Sequence, residues 1–153
     1  MALRILVDEF DGDASELYEL IQAEVKKREI PGIKFSGATE YRSKGWFAGS
    51  EKAPVLTVGD DTHKVHVLAY QFGRSFHVST RAYWQKEKMG DKERAGLLVF
   101  LEEVRSGAFD ETVNRAVRAA LATHMEKRQK PVPPSLNPKD IFYVREAQTA
   151  RDE

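Results

Sequence analysis

The sequence predicts an α+β domain: a four-stranded antiparallel β-meander, with Leu3–Val7 available as a fifth, N-terminal strand, and helices packed on one face of the sheet. Three observations lead there. From Ile33 to Trp84 apolar residues recur with a period of two. The joins within that stretch (GSEKAP, GDDT and GR) are too short for a parallel crossover, so sequential strands must be antiparallel neighbours. Before and after it, the apolar period lengthens to that of a helix. The predicted order is β-α-β4-α-α.

The first strand, LRILV, places Leu3, Ile5 and Val7 on one side. Asp11-Gly12-Asp13 is a turn, and Asp13 followed by Glu16 reads as a capping box with Asp in the capping role. A helix runs from there to about Glu29, with Leu17, Leu20, Ile21 and Val25 on one stripe, and Pro31-Gly32 ends it. Four strands follow, at 33–47, 53–59, 63–72 and 75–84, and Gly37 and Gly45 predict a bulge or bend in the first. Asp91 then caps a helix expected to reach about Arg105. Its segment AGLLVFL is apolar almost all round and is expected to be buried.

Ser106–Asp110 breaks or kinks that helix, with Gly107 as a candidate C-cap and Asp110 able to cap a last helix along the stripe Val113, Ala116, Val117, Ala120 and Leu121. Residues 1–130 form a single domain on this reading. Residues 131–153 form an extended, Pro-rich C-terminal arm, because KPVPPSLNP is stiff and non-helical, with one apolar island at Ile141–Val144. The β-α-β4-α order resembles the TATA-binding-protein-like architecture. That is a likeness of topology, and fold carries no function.

The chain has 153 residues, enough for one domain with a substantial core. Lys plus Arg and Asp plus Glu both total 24, and the formal net charge is +0. That balance argues against a protein that mainly grips phosphate backbones, although a folded surface can gather one sign of charge within a neutral total. There is no cysteine, which excludes disulfides, thiol catalysis and thiolate metal sites. The composition fits a reducing compartment, and MALRILVDEF turns acidic too soon for a signal peptide, so a cytoplasmic location is expected. No apolar run approaches the roughly 20 residues that span a bilayer, so no membrane partner is expected.

The most informative stretch is HVLAYQFGRSFHVSTRAYW, residues 66–84. With Gly73-Arg74 as a two-residue turn, Tyr70 pairs with His77, His66 with Arg81 and Lys64 with Tyr83. Val65, Val67, Ala69, Phe76, Val78, Thr80 and Ala82 then share the face that receives the helices. The other face carries Lys64, His66, Leu68, Tyr70, Phe72, His77, Ser79, Arg81 and Tyr83, which combine aromatic bodies with polar tips.

Catalysis is hard to build from these residues. His66 and His77 are offset by about four residues, roughly 13 Å along the strands, too far to share a metal ion. His63 and His66 point to opposite faces. His63 with Asp60 and Asp61 would make a loop site, but two acidic residues beside a hairpin turn are commonly turn formers. Ser79 lies about 7 Å from His77 on the same strand, beyond the reach of a nucleophile and its base. There is no Gly-x-Ser-x-Gly elbow, Walker loop or Gly-x-Gly-x-x-Gly. His77 opposite Tyr70 permits general acid–base chemistry, with Glu40 as the candidate carboxylate, so a small enzyme using His77 is the alternative reading.

A second alternative is single-stranded nucleic-acid binding through YRSKGWFAGSEK, where Arg42, Lys44 and Lys52 interleave with Trp46 and Phe47. The plainer account of that segment is an edge strand guarded by charge. The expected function is binding. Tyr70, His77, His66, Arg81 and Tyr83 line the exposed sheet face, Arg81 gripping a carboxylate or phosphate, the tyrosines stacking and the histidines hydrogen-bonding. The plainer account is a solvated face of a one-sided sheet. Three covers suit the face: the island Ile141–Val144, a second copy forming a homodimer, or a foreign protein or small anionic or aromatic ligand. No motif calls for a cofactor or a metal, the balanced charge makes nucleic acid an unlikely partner, and His124 reads as a histidine at the edge of the core.

Overall fold

The computed structural model describes residues 3–36, 55–84 and 92–136. Five strands form one sheet: β1 (Leu3–Val7), β2 (Lys34–Ser36), β3 (Val55–Gly59), β4 (His63–Phe72) and β5 (Ser75–Trp84). Two helices, α1 (Ala14–Lys27) and α2 (Lys92–Lys127), and a short 3₁₀ turn, Pro134–Leu136, accompany it. The strands lie in the order β1-β5-β4-β3-β2, and every pairing is antiparallel. The chain is therefore α+β, built on an antiparallel sheet.

The β4–β5 hairpin turns at Gly73, whose φ of 60° suits a glycine. Its register places Tyr70 opposite His77, His66 opposite Arg81 and Lys64 opposite Tyr83, as the two-residue turn predicts. The alternation then divides the residues cleanly. Val65, Val67, Ala69, Phe76 and Val78 point at the helices and none is more than 3% exposed. Val113, Ala116, Val117, Ala120 and Leu121 of α2 meet them and are fully buried, as are Leu17, Ile21 and Val25 of α1. Burying a side chain of this kind contributes about 1.5–3 kcal/mol each.

β1 joins the sheet at the far edge, beside β5. Leu3 and Val7 face the core, Ile5 is partly buried against it, and Arg4 and Leu6 face outward. A buried polar chain fastens this edge to the helix layer. The Leu3 N–H donates to Thr80 Oγ1 at 3.1 Å, and the Thr80 hydroxyl donates to Asn114 Oδ1 at 2.9 Å. Asp13 caps α1, its carboxylate accepting from the Glu16 N–H at 3.3 Å. A Cβ at Gly12 would sit 2.7 Å from the ring of the buried Phe76, so the turn into α1 needs a residue with no side chain.

Two expectations are corrected. The sequence predicts two helices after the sheet, and the structure has one, 36 residues long. Gly107 does not adopt the positive φ of a C-cap, and a side chain there would meet only open space. A single exposed glycine costs about 1 kcal/mol in a helix, and without a proline nothing else stops the backbone ladder. Phe109, Val113, Ala116, Val117, Ala120 and Leu121 lie on one continuous buried stripe, which rewards the unbroken helix.

Of the apolar segment before Gly107, Phe100 and Leu101 are the residues whose burial is described, and they are not buried, being 63% and 48% exposed. A 36-residue helix is about 54 Å long, whereas the ten-residue strands span about 34 Å, so one end of α2 outruns the sheet. From Phe100 to Ala108 no residue is buried. The described start of the arm packs on the domain, where Leu136 is 2% exposed within the core. The remainder of the expected 33–47 strand (residues 37–47), Glu40, Asp91 and the island Ile141–Val144 lie outside the described residues.

Candidate functional site

The outward side chains of the five strands form rows that follow from the pairing. One row is Tyr83, Lys64, Gly59 and Lys34 across β5, β4, β3 and β2. The next is Arg81, His66, Thr57 and Ser36. The third is Arg4, Ser79, Leu68 and Val55, starting from β1. Leu6, His77 and Tyr70 form the fourth, and Ser75 with Phe72 the last. Rows on one face lie about 7 Å apart, two residues of strand rise.

All five residues singled out from the sequence lie on this face. Tyr70 and His77 are direct cross-strand neighbours, as are His66 and Arg81. Tyr83 is on the same side but three rows from Tyr70, so the five line a surface and do not converge on one point. Arg81, Tyr83 and Tyr70 are exposed, and His66 and His77 are half-buried. Arg42, Lys44, Trp46 and Lys52 lie outside the described residues.

At the turn end, Tyr70 stacks on Phe72 with ring centroids 6.3 Å apart, and the edge of Phe72 meets His77 at 6.4 Å. Phe72 is 68% exposed and Leu6 54%. Toward β3 the face closes, since Val55 and Thr57 are buried. The open part therefore covers β1, β5 and β4.

The electrostatics of the face are one-sided. Arg4, Lys34, Lys64 and Arg81 point outward, and among the described residues no outward strand position carries a carboxylate. Two acids reach the rim. Asp8 accepts from the Ser75 hydroxyl at 2.8 Å, and Asp61 pairs with Lys34 at 3.2 Å. Burial, aided by the charges of Lys64 and Arg81, holds the His66 imidazole below its ordinary range. The neutral ring is hydrogen-bonded through Nδ1 to Thr57 Oγ1 at 2.8 Å.

Sequence reasoning missed Arg4 and Leu6, because nothing local says which strand β1 will join. It reads the acids beside His63 as turn formers, which Asp60 is, but does not foresee that His63 is buried on the helix side or that it approaches Glu102. Asp60 shapes the β3–β4 turn, its Oδ1 accepting from the N–H groups of Thr62 and His63 at 2.8 and 2.7 Å. His63 is 5% exposed and lies flat against Phe109, with ring centroids 5.6 Å apart. Its Nδ1 lies 3.0 Å from Thr62 Oγ1 and 3.3 Å from Asp60 Oδ2. Its Nε2 lies 3.4 Å from Glu102 Oε2, and neither of those two atoms has a well-aligned hydrogen bond. That contact places the turn beside the overhanging part of α2. Among the described residues no group of three or more His, Asp and Glu is placed to hold a metal ion.

His124 is deeper than the sequence suggests, with no exposed surface. It packs against Phe10 and Phe76 at 5.6 and 6.0 Å, and its Nε2 accepts from the Asp13 N–H at 3.0 Å. In the neutral ring Nδ1 must then carry the proton. No helix among the described residues is long and apolar enough to cross a membrane. Compared with known proteins, the chain matches no family model, no curated protein and no solved structure.

Proposed function

We propose that this protein is a binding module that holds an anionic partner on the outer face of its sheet, across β1, β5 and β4. One observation carries the reading: outward cations share that face with exposed aromatic rings, and no outward carboxylate stands among them in the described strands. In a chain of zero net charge, such segregation is what an anion site needs. Arg4 and Arg81 are set to grip carboxylate or phosphate oxygens, and Tyr70, Phe72 and Tyr83 supply contact area with few rotatable bonds.

The test is amide chemical-shift mapping with three anionic probes: a nucleoside monophosphate, polyglutamate and a short oligonucleotide. Shifts confined to the outward rows, and lost in Arg81→Glu, are expected. Shifts elsewhere, or none with any probe, would refute the reading.

A second reading draws on the apolar end of the face, where Leu6, Tyr70 and Phe72 are all exposed. Such a patch suits a second copy of the chain. Light scattering on the wild type and Tyr70→Asp decides it. A dimer that becomes a folded monomer in the variant assigns that end to self-association. Two folded monomers leave the face to other ligands.

The enzyme reading has less support. His77 has the edge of Phe72 beside it, and no described outward strand position supplies a carboxylate to orient it. If His77→Ala abolished a turnover without loss of fold, that reading would return.

A further inference from the structure

We propose that the anion is a single-stranded nucleic acid lying lengthwise along β5, its bases stacking at both ends of the face and its phosphates held between them. The proposal rests on the anion-binding reading above and names its ligand. The described geometry arranges the groups as a track. Tyr83 stands in the first row, Arg81 in the second, Arg4 in the third, Tyr70 in the fourth and Phe72 in the fifth. At about 7 Å per row the track is roughly 27 Å long, the scale of a few extended nucleotides.

Both kinds of group that such a ligand requires are present and accessible. Tyr83 and Phe72 are 57% and 68% exposed at opposite ends, and a flat ring in the open is a platform for any base. Arg81 and Arg4 stand between them, where a backbone passing from one ring to the other must run.

The same features argue against other anions. An acidic peptide satisfies the arginines but has no use for rings spread along an open sheet. A duplex keeps its base faces stacked inside, so the rings have nothing to bind. The overall charge balance, which makes nucleic acid an unexpected partner from composition, does not bear on this face: the described acids sit on helices, turns and the rim. The outward polar groups are few, and His66 is already engaged with Thr57, so weak sequence preference is expected.

Fluorescence anisotropy tests the proposal with four probes at low salt: labelled oligo-dT and oligo-rU of about ten nucleotides, a duplex of equal length, and polyglutamate of equal charge. The single strands are expected to bind at least about tenfold more tightly than either comparison, since each base stacked on a ring adds that much or more. Phe72→Ala and Tyr83→Ala, both exposed and expected to fold, should each weaken single-strand binding about tenfold and polyglutamate binding far less. Arg81→Ala should weaken both and reduce the salt slope by about one.

If the aromatic variants bind single strands like the wild type, or duplex or polyglutamate binds as tightly, the proposal falls while the anion site stands. If no anion binds at all, both fall.

Discussion

Acidification should destabilise this protein through His124, and the structure says in which direction. The ring is buried against Phe10 and Phe76 and accepts the Asp13 N–H, so its Nε2 is unavailable to a proton unless that bond is given up. Burial is the main force holding the imidazole below its ordinary range. Glu16 and Asp13 pull it up, while Arg128 and Lys127 push it down. A histidine whose folded value is depressed binds its proton more readily in the unfolded chain. Its contribution is therefore complete above the unfolded value, about 6.5, and is lost as pH falls below it, by at most about 1.4 kcal/mol per pH unit.

His124→Phe keeps a ring between the two phenylalanines but removes the acceptor. It should cost about 1–3 kcal/mol at neutral pH and abolish this part of the pH dependence. His124→Ala adds a cavity and should cost about 3–5 kcal/mol. Urea unfolding at several values between about pH 8 and 5, where histidines titrate, measures both effects. His66 is also held low and adds a loss of the same sign, so the informative quantity is the difference between wild type and His124→Phe. Asp60 and Glu24 do not confuse it. Burial opposes their ionisation, but bonds from the His63 and Thr62 N–H groups to Asp60, and from Arg28 and Lys27 to Glu24, hold both carboxyls low. Their contributions fade only below about pH 4. Parallel stability curves for wild type and His124→Phe across that range would show the reasoning about His124 to be wrong.

Other outcomes follow from single positions. Gly107→Ala should stabilise by about 1 kcal/mol in thermal unfolding, because the site is open and inside one helix; a loss would mean that the helix breaks there after all. Gly12→Ala should cost about 1–3 kcal/mol, because its new methyl would lie 2.7 Å from the Phe76 ring, and an unchanged melting temperature would contradict that contact. Gln129 ends α2 with a φ of 58°, and the next N–H, that of Lys130, reaches back to the Met125 carbonyl at 2.9 Å. Gln129→Gly should therefore raise stability by roughly 0.5–1 kcal/mol, since the left-handed conformation costs any other residue more. Tyr18→Phe removes the hydroxyl that accepts the buried Ala69 N–H at 3.0 Å and should cost about 1–3 kcal/mol in urea unfolding, a near-neutral result meaning that this bond contributes little.

Much of this molecule is legible along the chain because its signals are local. The period of two from His63 to Trp84 and the Gly73-Arg74 turn are enough to set the hairpin register, and with it the face on which Tyr70, His77, His66, Arg81 and Tyr83 stand. The Asp13 cap and the stripe of α1 are read the same way, since a cap and a helical face involve residues at most a few positions apart.

What the tertiary structure decided is whatever joins distant segments. Residue patterns show that β1 is a strand, but its place beside β5, which brings Arg4 into the row of Ser79, depends on partners about 70 positions away or more. The buried environments of His63 and His124 likewise come from Glu102 and Asp13, each far off in sequence. The continuity of α2 is a balance that no window of sequence contains. Gly107 alone favours a break by about 1 kcal/mol, and the packing of Phe109 through Leu121 against the sheet outweighs it. Local preference is a small energy spread along the chain, whereas burial is a larger one that exists only once the segments have met.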